Sequence, residues 1–198
     1  MYSQKQRGDI LSEMIRAFLG IDIIDSNLLL QVSNVQRKLD VDAAKMKLVE
    51  IENIHYTIRF LGDTQIEKIQ DIREQLENIK FDPFDIEVAG IGAFPNKYRP
   101  RIIWVGMKLN EDQVIDLKLA IDDSLEELGY QSEKRKYTPH ATIARVRYVK
   151  DAKRLSTNID TLTNESMGKM RVTNVTMKKS TLTPSGPIYE NLWYIPRK

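Results

Sequence analysis

Apolar and polar residues alternate with a period of two in several short segments of the first half of the chain. This period is typical of a β-strand with one buried face. Strands are predicted at Ile15–Ile23, Met46–Val49, His55–Leu61, Phe84–Phe94 and Ile102–Met107. The pair Gly62-Asp63 is predicted to end the third of these strands, because glycine and aspartate are common in turns.

Between these strands, apolar residues recur at spacings of three and four, which predicts amphipathic helices. The first apolar stripe is Leu28, Val32, Val35 and Leu39, with Ser26 as the predicted N-cap. The second stripe runs from Ile66 to Ile79. Thr64 and Glu67 have the spacing of a capping box at its start.

The second half of the chain repeats this order of elements. A helix is predicted over Glu111–Leu128, with Gly129 as its C-terminal stop. After a basic loop over residues 131–139, the predicted elements are a strand at His140–Tyr148, a helix at Asp151–Leu162 and strands at Met170–Leu182 and Leu192–Ile195.

The two histidines of the chain each open a similar tetrapeptide. These are His55-Tyr56-Thr57-Ile58 and His140-Ala141-Thr142-Ile143, which begin 85 residues apart, and the helix stripes before them begin 86 apart, at Leu28 and Val114. The regular offset predicts a duplicated β-α-β-type unit. We therefore expect an α+β fold with two lobes and pseudo-twofold symmetry, in which antiparallel-rich sheets flank a central cleft and helices lie outside.

The expected domain organisation follows from the same offset. Residues 14–198 are predicted to form a single two-lobed domain, with repeat units at about 14–107 and 108–198. Residues 1–13 are polar and are predicted to be a flexible N-terminal extension.

Each tetrapeptide places its histidine and its threonine on one face of a strand, since residues i and i+2 point the same way. Two such strands side by side would surround one small group with two imidazoles and two hydroxyls. Because the ordinary pKa of histidine is about 6.5, one imidazole can be neutral while the other is protonated. The pattern therefore predicts a general acid and a general base acting on one atom. Arg59 shares this strand parity and is a candidate substrate-binding residue.

The composition of the chain limits the kinds of functional site that it can contain. The net charge of the 198 residues is only +2, so any anion site must be local. The absence of cysteine excludes thiol catalysis and disulfides, and the apolar runs are too short to cross a membrane, which makes the cytoplasm the default location. With two histidines and no carboxylate at ligand spacing, we expect no metal and no cofactor.

The chain resembles the two-histidine phosphoesterases and, within them, the RNA 2′,3′-cyclic phosphodiesterases, which are also called 2′-5′ RNA ligase-like proteins. The likeness begins at Met14 and extends almost to the C-terminus. It is carried by the segments Met14–Ile23, Asn53–Gly62, Phe94–Asn96, Pro100–Trp104 and Tyr137–Arg145.

The resemblance implies hydrolysis of a 2′,3′-cyclic phosphate at an RNA 3′ end to a 2′-phosphomonoester, and 2′-5′ ligation if the reaction runs backwards. It implies that His55 donates a proton, that His140 accepts one, and that Thr57 and Thr142 hydrogen-bond the phosphate oxygens. The implied partner is RNA with a cyclic phosphate end, such as a tRNA fragment. The pseudo-symmetric chain needs no second copy and is expected to be a monomer.

Arg145 matches a basic position of the family motif that is implicated in phosphate binding. Simple alternation places it on the face opposite His140, so a β-bulge would be needed to turn it towards the cleft. Tyr137 is a candidate substrate-binding residue in the basic loop Lys134–Tyr137, and the loop with Lys97, Tyr98, Arg99 and Arg101 has the same mixed composition. Trp104 and Trp193 lie in apolar runs and are predicted to be core.

Two other functions fit the same residues. One is a non-catalytic module that binds RNA ends or nucleotides; the intact histidines and threonines in both tetrapeptides argue against it. The other is a cyclic phosphodiesterase acting on a small nucleotide such as ADP-ribose 1″,2″-cyclic phosphate. The basic loops favour RNA over that substrate.

Overall fold

The computed structural model describes residues 13–133, 135–184 and 186–195. Apart from residue 13, the predicted N-terminal extension lies outside the described residues, as does Lys134 of the basic loop. No helix among the described residues is long and apolar enough to span a membrane.

The described chain contains nine strands and four α-helices. In chain order they are β1 (Met14–Asp22), α1 (Ser26–Arg37), β2 (Ala44–Leu48), β3 (His55–Gln65), α2 (Ile66–Leu76), β4 (Phe84–Phe94), β5 (Ile102–Lys108), α3 (Glu111–Glu126), β6 (Ala141–Val149), α4 (Ala152–Leu162), β7 (Ser166–Val172), β8 (Val175–Thr183) and β9 (Gly186–Ile195). A single 3₁₀ turn, Ile51–Asn53, precedes β3.

The strands are ordered β7-β4-β5-β6-β3-β1-β8-β9, and β2 pairs with the free edge of β6. Every pairing is antiparallel. Between β3 and β6 only one residue pair, Tyr56 and Ala141, is in register, so the sheet divides there into two lobes. Lobe 1 contains β1, β3, β8 and β9 under α2 and α3, and lobe 2 contains β2, β4, β5, β6 and β7 under α1 and α4.

The strand order is symmetric about the junction of β3 and β6. Counting outwards from it, β3 corresponds to β6, β1 to β5, β8 to β4 and β9 to β7. The α+β class and the duplicated two-lobed architecture are therefore confirmed. The lobes are not the two halves of the chain, because β4 of the first half lies in lobe 2 while β8 and β9 of the second half lie in lobe 1.

Alternation builds the core of each lobe. Along β1, Ile15, Ala17, Leu19 and Ile21 are buried under the helices. Tyr56 is also fully buried, and its hydroxyl donates a 2.8 Å hydrogen bond to the carbonyl of Gly106 in the other lobe. A buried hydrogen bond of this kind contributes about 1 kcal/mol and fixes the lobes beside the cleft.

Both predicted N-caps, Ser26 and Thr64, are one residue away from the observed ones. The N-cap of α1 is Asp25, whose Oδ1 accepts a 2.8 Å hydrogen bond from the Leu28 amide, and Ser26 is the first helical residue. Thr64 does not cap α2: it is buried near the end of β3, and the N-cap is Gln65 without a side-chain hydrogen bond. The strand passes through Gly62-Asp63 because this segment continues to pair with β1.

The C-terminal strands also differ from the prediction. The segment Met170–Leu182 is not one strand but parts of β7 and β8, which lie in different lobes. The last strand begins at Gly186 rather than Leu192, because the whole of β9 pairs with β8. None of its residues before Leu192 is buried, and the apolar Pro187 and Ile188 are adjacent rather than alternating, so this part of the strand shows no apolar period.

Candidate active site

A cavity of about 430 Å³ lies between the lobes, where β3 and β6 meet. His55 and Thr57 reach it from lobe 1, and His140 and Thr142 reach it from lobe 2. The segment Lys47–Glu50 of lobe 2 and the β8–β9 hairpin of lobe 1 form its further walls. The four residues of the two tetrapeptides therefore converge, as their strand parity predicts.

His55 is held by backbone and aromatic contacts. Its Nδ1 lies 2.8 Å from the Asn53 carbonyl, which can only accept, so Nδ1 carries the hydrogen. In the neutral ring, Nε2 is then the acceptor, and it lies 3.1 Å from the Thr57 hydroxyl. Phe18 and Tyr189 pack against the imidazole with ring-centroid distances of 4.8 and 5.1 Å. Nε2 is thus the nitrogen that remains for a ligand.

His140 has a matching arrangement. Its Nδ1 donates to the Thr138 carbonyl at 2.7 Å, which leaves Nε2 as the free nitrogen. Phe94 meets the imidazole edge-on at 5.0 Å, and Trp104 lies 6.0 Å away. Gly92 permits this position of Trp104, because a Cβ at residue 92 would collide with the indole ring.

Burial lowers the pKa of both histidines below the ordinary value, because it disfavours the charged ring. For His55 the Asn53 carbonyl and the Asp22 carboxylate oppose this effect, whereas Lys178 and Arg145 add to it. For His140 the Thr138 carbonyl opposes it and Arg135 adds to it. Both rings are therefore mostly neutral near pH 7, with Nε2 able to accept a proton.

Two equivalent β-bulges decide which arginines face the cleft. In β3 the register with β1 skips Ile58, and in β6 the register with β5 skips Ile143, at the same position of each tetrapeptide. A bulge reverses the alternation beyond it. The prediction that Arg59 borders the cleft is consequently wrong, while Arg145 does line the cavity, through the bulge that its placement requires.

Arg59 is instead buried beneath lobe 1. Its Nη1 lies 3.5 Å from Asp122 of α3, and its Nη2 donates a 2.5 Å hydrogen bond to the Gln131 carbonyl. Lys118 is buried against the same Asp122 carboxylate. Arg59 therefore joins β3 to α3 and to the loop that leads to His140.

Tyr137 does not line the cavity. Its hydroxyl donates a 2.9 Å hydrogen bond to the Thr57 carbonyl, which ties the loop before His140 to the other tetrapeptide. Burial raises the pKa of Tyr137 well above its usual range. The Tyr137 side chain is thus engaged with the backbone of Thr57 rather than directed into the cavity.

Three further residues on the wall, Arg16, Phe18 and Tyr189, are not predicted from the sequence. A signal for the first two exists, since Arg16 and Phe18 alternate with the buried apolar residues of β1 and so share its cleft face. Tyr189 gives no such signal, because its strand is not recognisable by its apolar period.

The remaining predicted groups lie around the site. Trp193 is buried as predicted, but Trp104 is only half-buried and packs beside His140. Lys97 pairs with Asp160 at 2.6 Å, and Arg135 lies over the Phe94 ring at 5.4 Å. Among the described residues, no group of three or more histidine or carboxylate side chains has the geometry of a metal site.

Comparison with known proteins gives a consistent result. The family described as LigT like Phosphoesterase matches residues 22–104 and again residues 107–189, and these two matches start 85 residues apart. The RNA 2′,3′-cyclic phosphodiesterase of Methanothermobacter thermautotrophicus is 37% identical over 180 residues, which cover 90% of this chain and 96% of that protein. The protein of the same name from Methanocaldococcus jannaschii is 36% identical over 176 residues, covering 89% and 97%.

Solved structures share the fold. A Thermus thermophilus protein matches with a TM-score of 0.76 at 21% identity, over 92% of this chain and 97% of that one. Escherichia coli LigT complexed with 3′-AMP matches with a TM-score of 0.74 at 22% identity, over 93% and 99%. Two family matches across most of the chain, on a duplicated fold with paired H-x-T-I strands, show that this chain belongs to the LigT-like phosphoesterase family.

Proposed function

We propose that this protein hydrolyses the 2′,3′-cyclic phosphate at the 3′ end of RNA and leaves a 2′-phosphomonoester. The observation that carries the proposal is the pair of imidazoles on one cavity, each with Nδ1 bound to a backbone carbonyl, which leaves Nε2 as the nitrogen that can exchange a proton with a ligand. The names of the relatives from Methanothermobacter and Methanocaldococcus support the same reaction.

The proposed reaction is an attack of water on phosphorus. Neutral His140 takes a proton from the water through Nε2 while the P–O bond to the new oxygen forms. Protonated His55 gives its Nε2 proton to the ribose O3′ as the P–O3′ bond breaks. Each proton transfer contributes about 10²–10⁴-fold to the rate. The hydroxyls of Thr57 and Thr142 donate to the non-bridging oxygens, where charge grows in the transition state.

The surroundings of the two histidines support this division of roles. The Asp22 carboxylate favours protonation of His55, although Lys178 bonds that carboxylate at 2.8 and 2.9 Å and offsets part of its effect. Beside His140 the charged neighbour is the cation Arg135, which favours the neutral ring. A proton donor at His55 and an acceptor at His140 agree with these neighbours.

Arg145 is proposed to hold a phosphate oxygen, because it lines the cavity and makes no ion pair with any described residue. The natural substrates are proposed to be RNA fragments with cyclic ends, including those of tRNA, met by a monomer in the cytoplasm. The same groups can act in reverse, so that 2′-5′ ligation occurs where RNA ends are concentrated.

An oligonucleotide ending in a 2′,3′-cyclic phosphate tests the function. We expect hydrolysis to a 2′-phosphate, with the isomer identified by NMR or by nuclease digestion, and we expect full activity in EDTA. The matched control is the same oligonucleotide with a linear 3′-phosphate, which should not react.

Several results would contradict the proposal. Absence of turnover, with tight binding of the cyclic end, would favour a binding module. Turnover of ADP-ribose 1″,2″-cyclic phosphate but not of the oligonucleotide would favour a small-nucleotide enzyme. A 3′-phosphate product would reverse the assignment of the leaving oxygen.

A further inference from the structure

We propose that Arg16, stacked on Phe60, binds the phosphodiester immediately 5′ of the terminal nucleotide and so favours RNA chains over single nucleotides. The inference rests on the proposed function and adds a second anion site to the cavity. It is carried by the position of Arg16, by its contact with Phe60 and by the charges of the cavity wall.

Arg16 lies one strand repeat farther from the reacting groups than Phe18. Phe18 packs on the His55 ring, and Arg16 precedes it by two residues on the same face of β1. Since a strand rises about 3.3 Å per residue, this displaces Arg16 by about 6–7 Å along the cavity. The displacement has the scale of the spacing between successive backbone phosphates.

The contact with Phe60 fixes the guanidinium. Its central carbon lies 4.5 Å from the centre of the Phe60 ring. A guanidinium stacked in this way presents its N–H groups at the edge of its plane, where a phosphate can accept two hydrogen bonds. Because the ring face of Phe60 is already covered, a base stacked there would have to displace the arginine.

Neighbouring strands add hydroxyl donors beside Arg16. Arg16 is in register with Ser180 of β8, and Ser180 is in register with Tyr189 of β9. All three side chains line the cavity. Burial raises the pKa of the Tyr189 hydroxyl, while Arg16 and Arg145 oppose the rise, which places both cations within electrostatic range of this hydroxyl.

The wall as a whole has fewer carboxylates than cationic side chains. Among the described residues, Glu50 is the only acidic residue that lines the cavity, against Arg16, Lys47 and Arg145. Neither Arg16 nor Arg145 has an ion-pair partner among the described residues, where the ion-paired arginines are Arg59, Arg154 and Arg171. Two arginines without partners in one cleft indicate two anionic groups, of which the reacting phosphate is one.

The test compares substrates that differ in one charge. The substrates are adenosine 2′,3′-cyclic phosphate, the ApA dinucleotide with the same cyclic end, and that dinucleotide with an uncharged methylphosphonate linkage. For the wild-type protein, we expect the neutral linkage to lower kcat/KM by about tenfold, the size of one charge-assisted hydrogen bond. We expect Arg16→Ala to lower kcat/KM by a similar factor on the charged dinucleotide and by less than about threefold on the neutral one.

Two variants control the measurement. Arg73→Ala removes an exposed arginine of the outer helix α2 and should leave the preference between the two linkages unchanged. Arg16→Lys keeps the charge without the planar fork and should lose part of the preference. Thermal unfolding checks that Arg16→Ala and the two control variants fold. If Arg16→Ala does not fold, the wild-type protein and Arg16→Lys provide the comparison.

Equilibrium binding separates this proposal from the hydrolytic one. Dinucleotides ending in a linear 2′-phosphate, with charged or neutral linkage, report on Arg16 without any turnover. A wild-type protein that binds them with a linkage preference but hydrolyses nothing would overturn only the proposed function. Equal wild-type affinity and kcat/KM for both linkages, or equal losses in Arg16→Ala on both, would overturn the role of Arg16.

Discussion

The two halves of the cleft share one plan but differ in what surrounds it. In each, a histidine donates Nδ1–H to the carbonyl two residues before it, packs on two aromatic rings and is followed by a bulge at the isoleucine. The difference begins immediately after the bulge, where lobe 1 has Arg59 and Phe60 and lobe 2 has Ala144 and Arg145. The duplicated unit thus gives the two histidines the same local geometry, and the residues that differ between the lobes lie directly after the bulges.

The charges near the histidines differ in the same manner. The carboxylate of Asp22, itself bonded to Lys178, lies near His55, while the guanidinium of Arg135 lies near His140. Near-identical rings therefore meet different electrostatic fields. A reaction with one proton donor and one proton acceptor requires such a difference. It can be examined by replacing side chains in each half of the cleft separately.

The largest expected effect comes from removing either histidine. His55→Ala and His140→Ala should each lower kcat by about 10²–10⁴-fold, and the double variant should be little worse than either, because the two groups act in one step. Single-turnover kinetics at several pH values measures this. If the roles differ as proposed, His55→Ala should lose the dependence on a protonated group and His140→Ala the dependence on a neutral one.

Thermal unfolding provides the control for these variants. Each substitution removes one hydrogen bond to a backbone carbonyl, so both variants should remain folded at the assay temperature. Turnover like that of the wild type in either folded variant would contradict the paired mechanism.

Replacing the arginine that follows each bulge should affect stability in lobe 1 and substrate binding in lobe 2. Arg59→Ala leaves the buried Asp122 with one partner fewer and should lower the free energy of unfolding by about 3 kcal/mol. Arg145→Ala removes an exposed side chain and should change it by less than about 0.5 kcal/mol, while raising KM for the cyclic phosphate.

Urea unfolding and steady-state kinetics measure the two quantities on the same preparations. Arg59→Ala with unchanged stability would mean that its buried contacts contribute nothing. Unchanged KM in Arg145→Ala would remove this arginine from the proposed phosphate site.

The smallest expected effect is on pH dependence. Because burial lowers the pKa of both histidines, the protonated donor becomes scarce above those lowered values, and kcat/KM should be greatest below about pH 6.5. Arg135→Ala removes a cation that disfavours protonation of His140, so it should raise the pKa of that ring and move one limb of the profile to higher pH.

Arg99→Ala is the matched control, since Arg99 is an exposed arginine that does not line the cavity. It should leave the profile unchanged. A maximum on the alkaline side of neutrality would contradict the direction of both pKa shifts.

Features that depend on the local period of apolar residues could be predicted from the sequence. Features that depend on how two strands pair could not. The strand Phe84–Phe94 is correct to the residue, and the convergence of His55 with His140 follows from their offset and parity. Simple alternation places Arg59 on the wrong face because a bulge is a property of two paired strands and has no period of its own. The repeat boundaries at 14–107 and 108–198 stay a prediction.

The cavity residues of β9 could not be predicted from the sequence, because their part of the strand has no apolar period. Tyr189 lies on a strand whose residues before Leu192 border the cleft or solvent rather than the core, so no buried apolar period marks this part of the strand. The predicted N-cap of α1 is wrong by one residue. Asp25 and Ser26 are both residue types that favour the N-cap position, and only the hydrogen bond from the Leu28 amide to Asp25 identifies the cap.

The exchange of strands between the lobes determines when this chain can fold during its synthesis. Lobe 1 begins with β1 and β3 but needs β8, which starts at Val175, and lobe 2 needs β6 and β7 before β2 and β4 have all their neighbours. The nascent chain therefore carries unpaired strand edges until most of its residues have left the ribosome. Such edges are prone to intermolecular pairing. The same strand exchange that brings the two histidines together therefore makes a prematurely terminated chain prone to aggregation.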